Sequence, residues 1–173
     1  MTYSFVKSEN LLGLTIVAEE RLDALTDILG CFTVVGRVQG SELAGSQYRS
    51  PFVAGGILPI IPSSHITAES GTGLVHCAPA HGVEDYHAFL ALDQTCFKSG
   101  MLCHVNGEGK FTNDVAEVVG NSAVKELVSQ DIMKEGSRSM IKLLEAAGAL
   151  VKVQRIRHRY PYDWKTGEPV ITL

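Results

Sequence analysis

The stretch GTGLVHCAPAHGVEDYHAFL, residues 71–90, brings His76, Cys77, His81, Asp85 and His87 close together in the chain. Three chemistries suit such a set: a metal site, a phosphate loop, or a pocket for a small cationic group. Ligands sharing a helix face need spacings of three or four. Among His76, His81, Asp85 and His87 only His81 and Asp85 have that spacing, across a Gly82 that precedes the predicted helix, and there is no HExxH. The spacing therefore argues against a bound metal. GTG is too short for a GxxxxGKS or GxGxxG phosphate cradle, and no lysine follows it. Gly71 and Gly73 read instead as a close backbone approach or a bulge in a strand.

The cation pocket rests on Asp85. It falls in the first turn of the predicted helix, where backbone N–H groups and the helix dipole stabilise a carboxylate. An ionised carboxylate there can accept an ammonium group. The same position suits a plain helix cap, and His76 at a strand end suits a packed, hydrogen-bonded ring. Spacing alone leaves both choices open. Cys77 makes a poor nucleophile, because the neighbouring His76 points to the other face of the strand and no third partner is evident.

Several elements must position these residues. GTGLVH is predicted as a strand and VEDYHAFLAL as a helix of two or three turns that buries Val83, Phe89 and Leu90. Upstream, YSFVK and GLTIVA are strands joined by the SENL turn. EERLDALTDILG sets Leu22, Leu25 and Leu29 at helical spacing and stops at Gly30. CFTVVGRVQG is a further strand, SELAGSQYRSPF is a connector with Leu43 buried, and the prolines of GGILPIIPSS put that strand near an edge or bend. Downstream, HVNGEGKFT is a hairpin turn between short strands. The stretch SAVKELVSQDIMKEGSRSMIKLLEAAGAL gives two helices separated near Gly136. The second ends at Gly148 with Met140, Leu144 and Ala147 along one face. VKVQRIRHRYPYDW reads as a strand with Val151, Val153 and Ile156 on one side. Lys152, Arg155, Arg157 and Arg159 form a basic strip beside them. This order lacks a regular βαβ alternation. An α+β fold is expected, with a closed or nearly closed β-barrel core and peripheral helices.

Composition sets the outer limits. The 173 residues suit a single domain, and 45% hydrophobic with 20% charged residues is ordinary for a globular chain. A net charge of −4 argues against a broad nonspecific nucleic-acid surface, while leaving room for RNA contact through a local basic strip. Cys31, Cys77, Cys96 and Cys103 include no CxxC pair, which favours a reducing compartment. No apolar run reaches the roughly 20 residues of a membrane helix, and MTYSFVKSEN lacks the pattern of a signal peptide. Both ends read as strand, so residues 1–173 are expected to be one domain excised from a larger protein.

GTGLVHCAPAHGVEDY closely resembles the signature of the editing domain of isoleucyl-tRNA synthetase, in a bacterial or mitochondrial form. GSELAGSQYRSPF, GKFT and HRYPYDWKTGEPVI extend the resemblance through nearly the whole chain. It implies a β-barrel decorated with helices and hydrolysis of valine wrongly esterified to isoleucine tRNA. One methylene separates the two amino acids by only ~1–3 kcal/mol, a figure for which this enzyme is itself the standard example. By the same resemblance Asp85 holds the α-amino group and His76 lines the side-chain pocket, excluding isoleucine by bulk. His81 helps place the terminal adenosine or the attacking water, and Thr72 and Gly73 shape the floor. Arg155, Arg157 and Arg159 are candidate contacts to tRNA phosphates. The expected partners are the misacylated 3′ end of isoleucine tRNA and the rest of the parent synthetase, with no membrane.

HIGH and KMSKS motifs are absent, so the chain is not expected to activate amino acids with ATP; ATP and magnesium belong to the parent's core, and water attack positioned by Asp85 requires no metal or cofactor in this domain. The family's threonine-rich segment, which precedes the YxFV strand, is missing from a chain that starts MTYSFV. The expectation is therefore a pocket lacking part of its wall. The compartment implied is the cytoplasm, or the mitochondrial matrix for an organellar parent. Three rival readings stand beside this one: a noncatalytic tRNA-binding fragment, a valyl-type domain clearing threonine, and a metal-dependent hydrolase using His76, His81 and Asp85.

Overall fold

The computed structural model describes residues 1–92, 101–154 and 161–171. The chain is mixed α and β and packs as two compact units. The first holds Met1–Tyr48, Pro59–Pro79 and the described residues from 83 to 92; the second holds Arg49–Leu58, Ala80–Gly82 and the described residues from 101 onward.

The first unit is built on a three-stranded antiparallel sheet with β1 (Thr2–Ser8) between β2 (Leu14–Ala18) and β3 (Phe32–Gln39). Strand β3 alternates half-buried and exposed residues along its whole length, the period of two that its sequence predicts. A bulge between Phe5 and Val6 shifts its register on β1. Side chains of β1 pack on both faces of the sheet. Val6 packs with Val17, Leu25 and Leu29 on one side. On the other, Tyr3 packs with Ala18 and Leu43. Burying side chains of this size contributes roughly 1.5–3 kcal/mol each.

The leucine-rich stretch after β2 covers the first face, as its spacing predicts, but not as one helix. It folds into two 3-10 turns, Glu19–Arg21 and Asp23–Leu25, followed by a single turn α1 (Thr26–Leu29). Bonds from Leu22 N–H to Glu19 O and from Leu25 N–H to Leu22 O tighten the backbone to three residues per turn. Gly30, at φ 65°, then ends the segment. Helix α2 (Gly40–Leu43) starts with a capping box between Gln39 and Glu42 and buries Leu43. Strands β4 (Gln47–Arg49) and β5 (Ile57–Pro59) form a separate two-stranded sheet.

Among the described residues the five strands do not close into a barrel. One cause is the 71–76 segment, expected as a strand, which runs as a loop without ladder partners. Its glycines take left-handed backbone, φ 60° at Gly71 and 79° at Gly73, which strand geometry cannot accommodate. Residues 151–154, also expected in a strand, are irregular, with Val151 and Val153 exposed. The rest of that predicted strand, including Ile156, Arg155, Arg157 and Arg159, lies outside the described residues.

In the second unit Val115, Val119 and Leu127 form the core, joined by Phe111, Met140 and Leu143. Helix α4 (Ala116–Val119) and helix α5 (Glu135–Ala146) supply several of these residues. Gly136 lies inside the start of α5 rather than between two helices. A Cβ there would sit 2.8 Å from Asp131 O and 2.9 Å from the Phe111 ring, so the helix approaches closely only because the residue is glycine. The expected turn at 105–111 is present: Val105 bridges Phe111, and Asn106 Oδ1 accepts the N–H groups of Glu108 and Lys110. Among the described residues no helix is long and apolar enough to cross a membrane.

Candidate functional site

The site begins with a loop clamped to the sheet. Ala18 N–H donates to Thr72 O at 2.8 Å, and the Tyr3 hydroxyl donates to Gly73 O at 2.7 Å. Arg21 adds bonds to Gly71 O and Glu69 O. Gly73 lies so close to β2 that a Cβ would stand 2.5 Å from the Ala18 Cβ. The two glycines that suggested close backbone approach thus make one, at Gly73. From this clamp residues 74–79 run to the turn before α3 (Val83–Leu90). Helix α3 places Asp85 and Ala88 inward, while Val83 and Leu90 are exposed and Phe89 is half-buried, so it buries less than its sequence predicts.

A cavity of about 740 Å³ opens in the first unit. That lies within the range of ~300–1,000 Å³ typical of small-molecule sites. Tyr3, Leu43, Ile60 and Leu74 supply apolar wall, and Ser63, His65, His76, Cys77 and Asp85 supply polar groups. Asp85 reaches groups outside its own helix. Its Oδ2 accepts the Ala78 N–H at 2.8 Å, and its Oδ1 lies 3.1 Å from His65 Nε2. The Asp85 side chain is 18% exposed and the His65 side chain 29%. A carboxylate has about four lone-pair sites, so Ala78, His65 and the adjoining Cys77 thiol leave acceptor capacity over. His65 is fixed from its other side, with Nδ1 2.6 Å from Ser63 Oγ.

Cys77 borders the same cavity. Burial, and then the adjoining Asp85 carboxylate, push its thiol above its ordinary value. It therefore stays protonated at neutral pH, in keeping with its poor standing as a nucleophile.

Of the residues singled out in the sequence, Gly73, His76 and Asp85 line the cavity, and His76 is exposed on its wall. Thr72 does not line it; its hydroxyl turns back to Leu74 O at 3.2 Å. His81 falls in the second unit and is half-buried. There it is one of the groups acting on His104, whose basicity is lowered first by burial. Arg155, Arg157 and Arg159 lie outside the described residues. Among the described residues no three His, Cys, Asp or Glu side chains converge as a metal cage would require. Ser63 and His65 have no signature in the sequence. They sit in the LPIIPSSHIT stretch, which reads as a proline-interrupted edge strand running into polar loop, far from Asp85 along the chain.

No family model matches the chain. It is 36% identical over 170 residues to the mitochondrial isoleucine–tRNA ligase of Gallus gallus, covering 98% of this chain and 16% of that protein. It is 37% identical over 174 residues to the isoleucine–tRNA ligase of Acaryochloris marina, covering 99% of this chain and 16% of that protein. The mitochondrial isoleucine–tRNA ligase of Mus musculus is 35% identical over 170 residues, again 98% of this chain and 16% of its own length. The chain thus spans about a sixth of the length of the relatives it matches.

Proposed function

We propose an editing function from one premise: this chain belongs to the isoleucine–tRNA ligase family, as a segment of those longer enzymes. Its reaction is hydrolysis of the ester joining a wrong amino acid, chiefly valine, to the terminal ribose of isoleucine tRNA. One observation carries the reading. The Asp85 carboxylate is held by two donors at the wall of a cavity, with acceptor capacity left over. A fixed anion there suits the α-ammonium of an aminoacyl ester, and holding that group presents the carbonyl to water in a constant geometry.

The side chain of the bound amino acid would lie along the apolar wall, with His76 limiting its size. A cavity of this volume cannot exclude isoleucine by its overall capacity, so discrimination has to be local to that wall. The scheme needs no metal and no covalent enzyme intermediate. ATP and magnesium belong to amino-acid activation elsewhere in the longer enzyme. Arg155, Arg157 and Arg159 are the proposed contacts to acceptor-end phosphates. Replacing all three with glutamine is expected to lower the salt slope of tRNA binding by roughly two to three.

The test is deacylation of valyl-, threonyl- and isoleucyl-charged isoleucine tRNA by the full-length protein. The valyl ester should be cleared and the isoleucyl ester spared, and Asp85→Ala should slow valyl clearance by at least about 10²-fold while isoleucine charging continues. Valyl clearance by Asp85→Ala at the unmodified rate would remove the carboxylate from this role. His76→Ala should admit the isoleucyl ester; undiminished discrimination would remove His76 from the pocket's selectivity. Preference for the threonyl ester would favour valyl-type editing.

A further inference from the structure

We propose that Ser63, His65 and Asp85 form a proton relay in which His65 takes up the proton of the attacking water through Ser63 Oγ. The inference rests on the editing reading and supplies the proton acceptor that reading lacks. All three side chains line the one cavity. The direction of the relay follows from donor and acceptor capacity. The relay takes His65 as neutral before the step; an ionised carboxylate only accepts, so the ring hydrogen then sits on Nε2, 3.1 Å from Asp85 Oδ1. Nδ1 is then the bare nitrogen, and the Ser63 hydroxyl at 2.6 Å must donate to it. Ala78 N–H on Oδ2 keeps the carboxylate from rotating away. An acid on one ring nitrogen and a hydroxyl on the other is the arrangement that lets an imidazole accept a proton while the carboxylate stabilises the resulting cation.

The step balances. The water oxygen bonds to the ester carbonyl carbon as one water proton passes to Ser63 Oγ and the serine's own proton passes to His65 Nδ1. The bond from the carbonyl carbon to the ribose oxygen then breaks. The imidazolium returns its proton through the same hydroxyl to the departing ribose oxygen. The products are the free amino acid and the ribose hydroxyl, with Ser63 and His65 restored.

A purely structural His65, one that merely props Asp85, is separated from the relay by His65→Gln. The glutamine amide can reach Asp85 as Nε2 does, but it cannot take up a proton. In the full-length protein the relay predicts that His65→Gln and His65→Ala both lower kcat for valyl-ester hydrolysis by at least about 10²-fold. KM should stay within about threefold. Ser63→Ala should cost about tenfold, since a water can bridge the gap. Charging of isoleucine tRNA reports that each variant is folded, and His65→Gln serves where His65→Ala is not. Near-normal kcat in His65→Gln overturns the relay. If His65→Gln hydrolyses normally while Asp85→Ala does not, the relay falls and the editing reading stands. If the unmodified protein hydrolyses no ester, both fall together.

Discussion

In the turn at 161–169, Asp163 draws its donors from its own loop. Oδ1 takes the N–H of Lys165, and Oδ2 takes the N–H and hydroxyl of Thr166. In the first unit, Asp85 draws its donors from Ala78, in the loop before its helix, and from His65, much farther back, at the edge of a cavity. Asp163 is a carboxylate used to shape a turn. Asp85 is brought to its partners by the fold, and it faces a space large enough for a ligand. A carboxylate with local donors can form its bonds with little tertiary help. One whose donors arrive from distant segments depends on the whole unit, and it is the better place to look for function.

Truncating each carboxylate separates the two roles. Asp85→Ala should reduce valyl-ester hydrolysis by the full-length protein at least about 10²-fold, whereas Asp163→Ala should leave it unchanged. Equal effects on the measured rate would erase the distinction between the two carboxylates.

The loop that presents the site offers a second contrast. Gly73 and Gly13 have nearly the same backbone, φ 79° and 77°, but a Cβ at Gly13 meets nothing within 4 Å. Gly13→Ala should cost about 1 kcal/mol from backbone alone. Gly73→Ala should cost roughly 3 kcal/mol, because collision with Ala18 adds an overpacking penalty. Urea unfolding of the two variants gives the difference directly, and equal midpoints would mean the clamp yields easily.

The smallest effect concerns Asp163 itself. The Thr166 hydroxyl first, and then the Lys165 N–H, hold its carboxyl below the ordinary 3.8. A carboxyl depressed in the folded state contributes stability that is present above its unfolded value and lost as pH falls through the lower folded value. Thr166→Val should move its titration, followed by carboxyl-carbon NMR, back toward 3.8. It should also remove part of the turn's acid sensitivity below about pH 4.

Local pattern reached a good part of this fold. Strands β1, β2 and β3, the burial of Leu43, the Asn106 turn and the α3 helix are all readable from side-chain period and turn chemistry, because those signals act between near neighbours. The barrel was not. The 71–76 stretch reads as a strand through its apolar run LV, but Gly71 and Gly73 take left-handed backbone in a loop clamped by Arg21, Ala18 and Tyr3. The leucines after β2 reach the face their spacing predicts through 3-10 turns and a single α turn instead of one helix, since the burial of Leu25 and Leu29 depends on side-chain position more than on the turn that delivers it.

At the site, Asp85, His76 and Gly73 were legible because their motif is contiguous, and the family itself could be read from the same residues. His65 and Ser63 were not. A lone histidine in a polar loop carries no periodicity and no spacing to a partner. Residue types along the chain settle which groups can accept, donate or bend. Which of them meet is settled only when the sheet, the clamped loop and α3 bring distant segments within hydrogen-bond range, since that contact acts over about 3 Å in space and takes no account of distance along the chain.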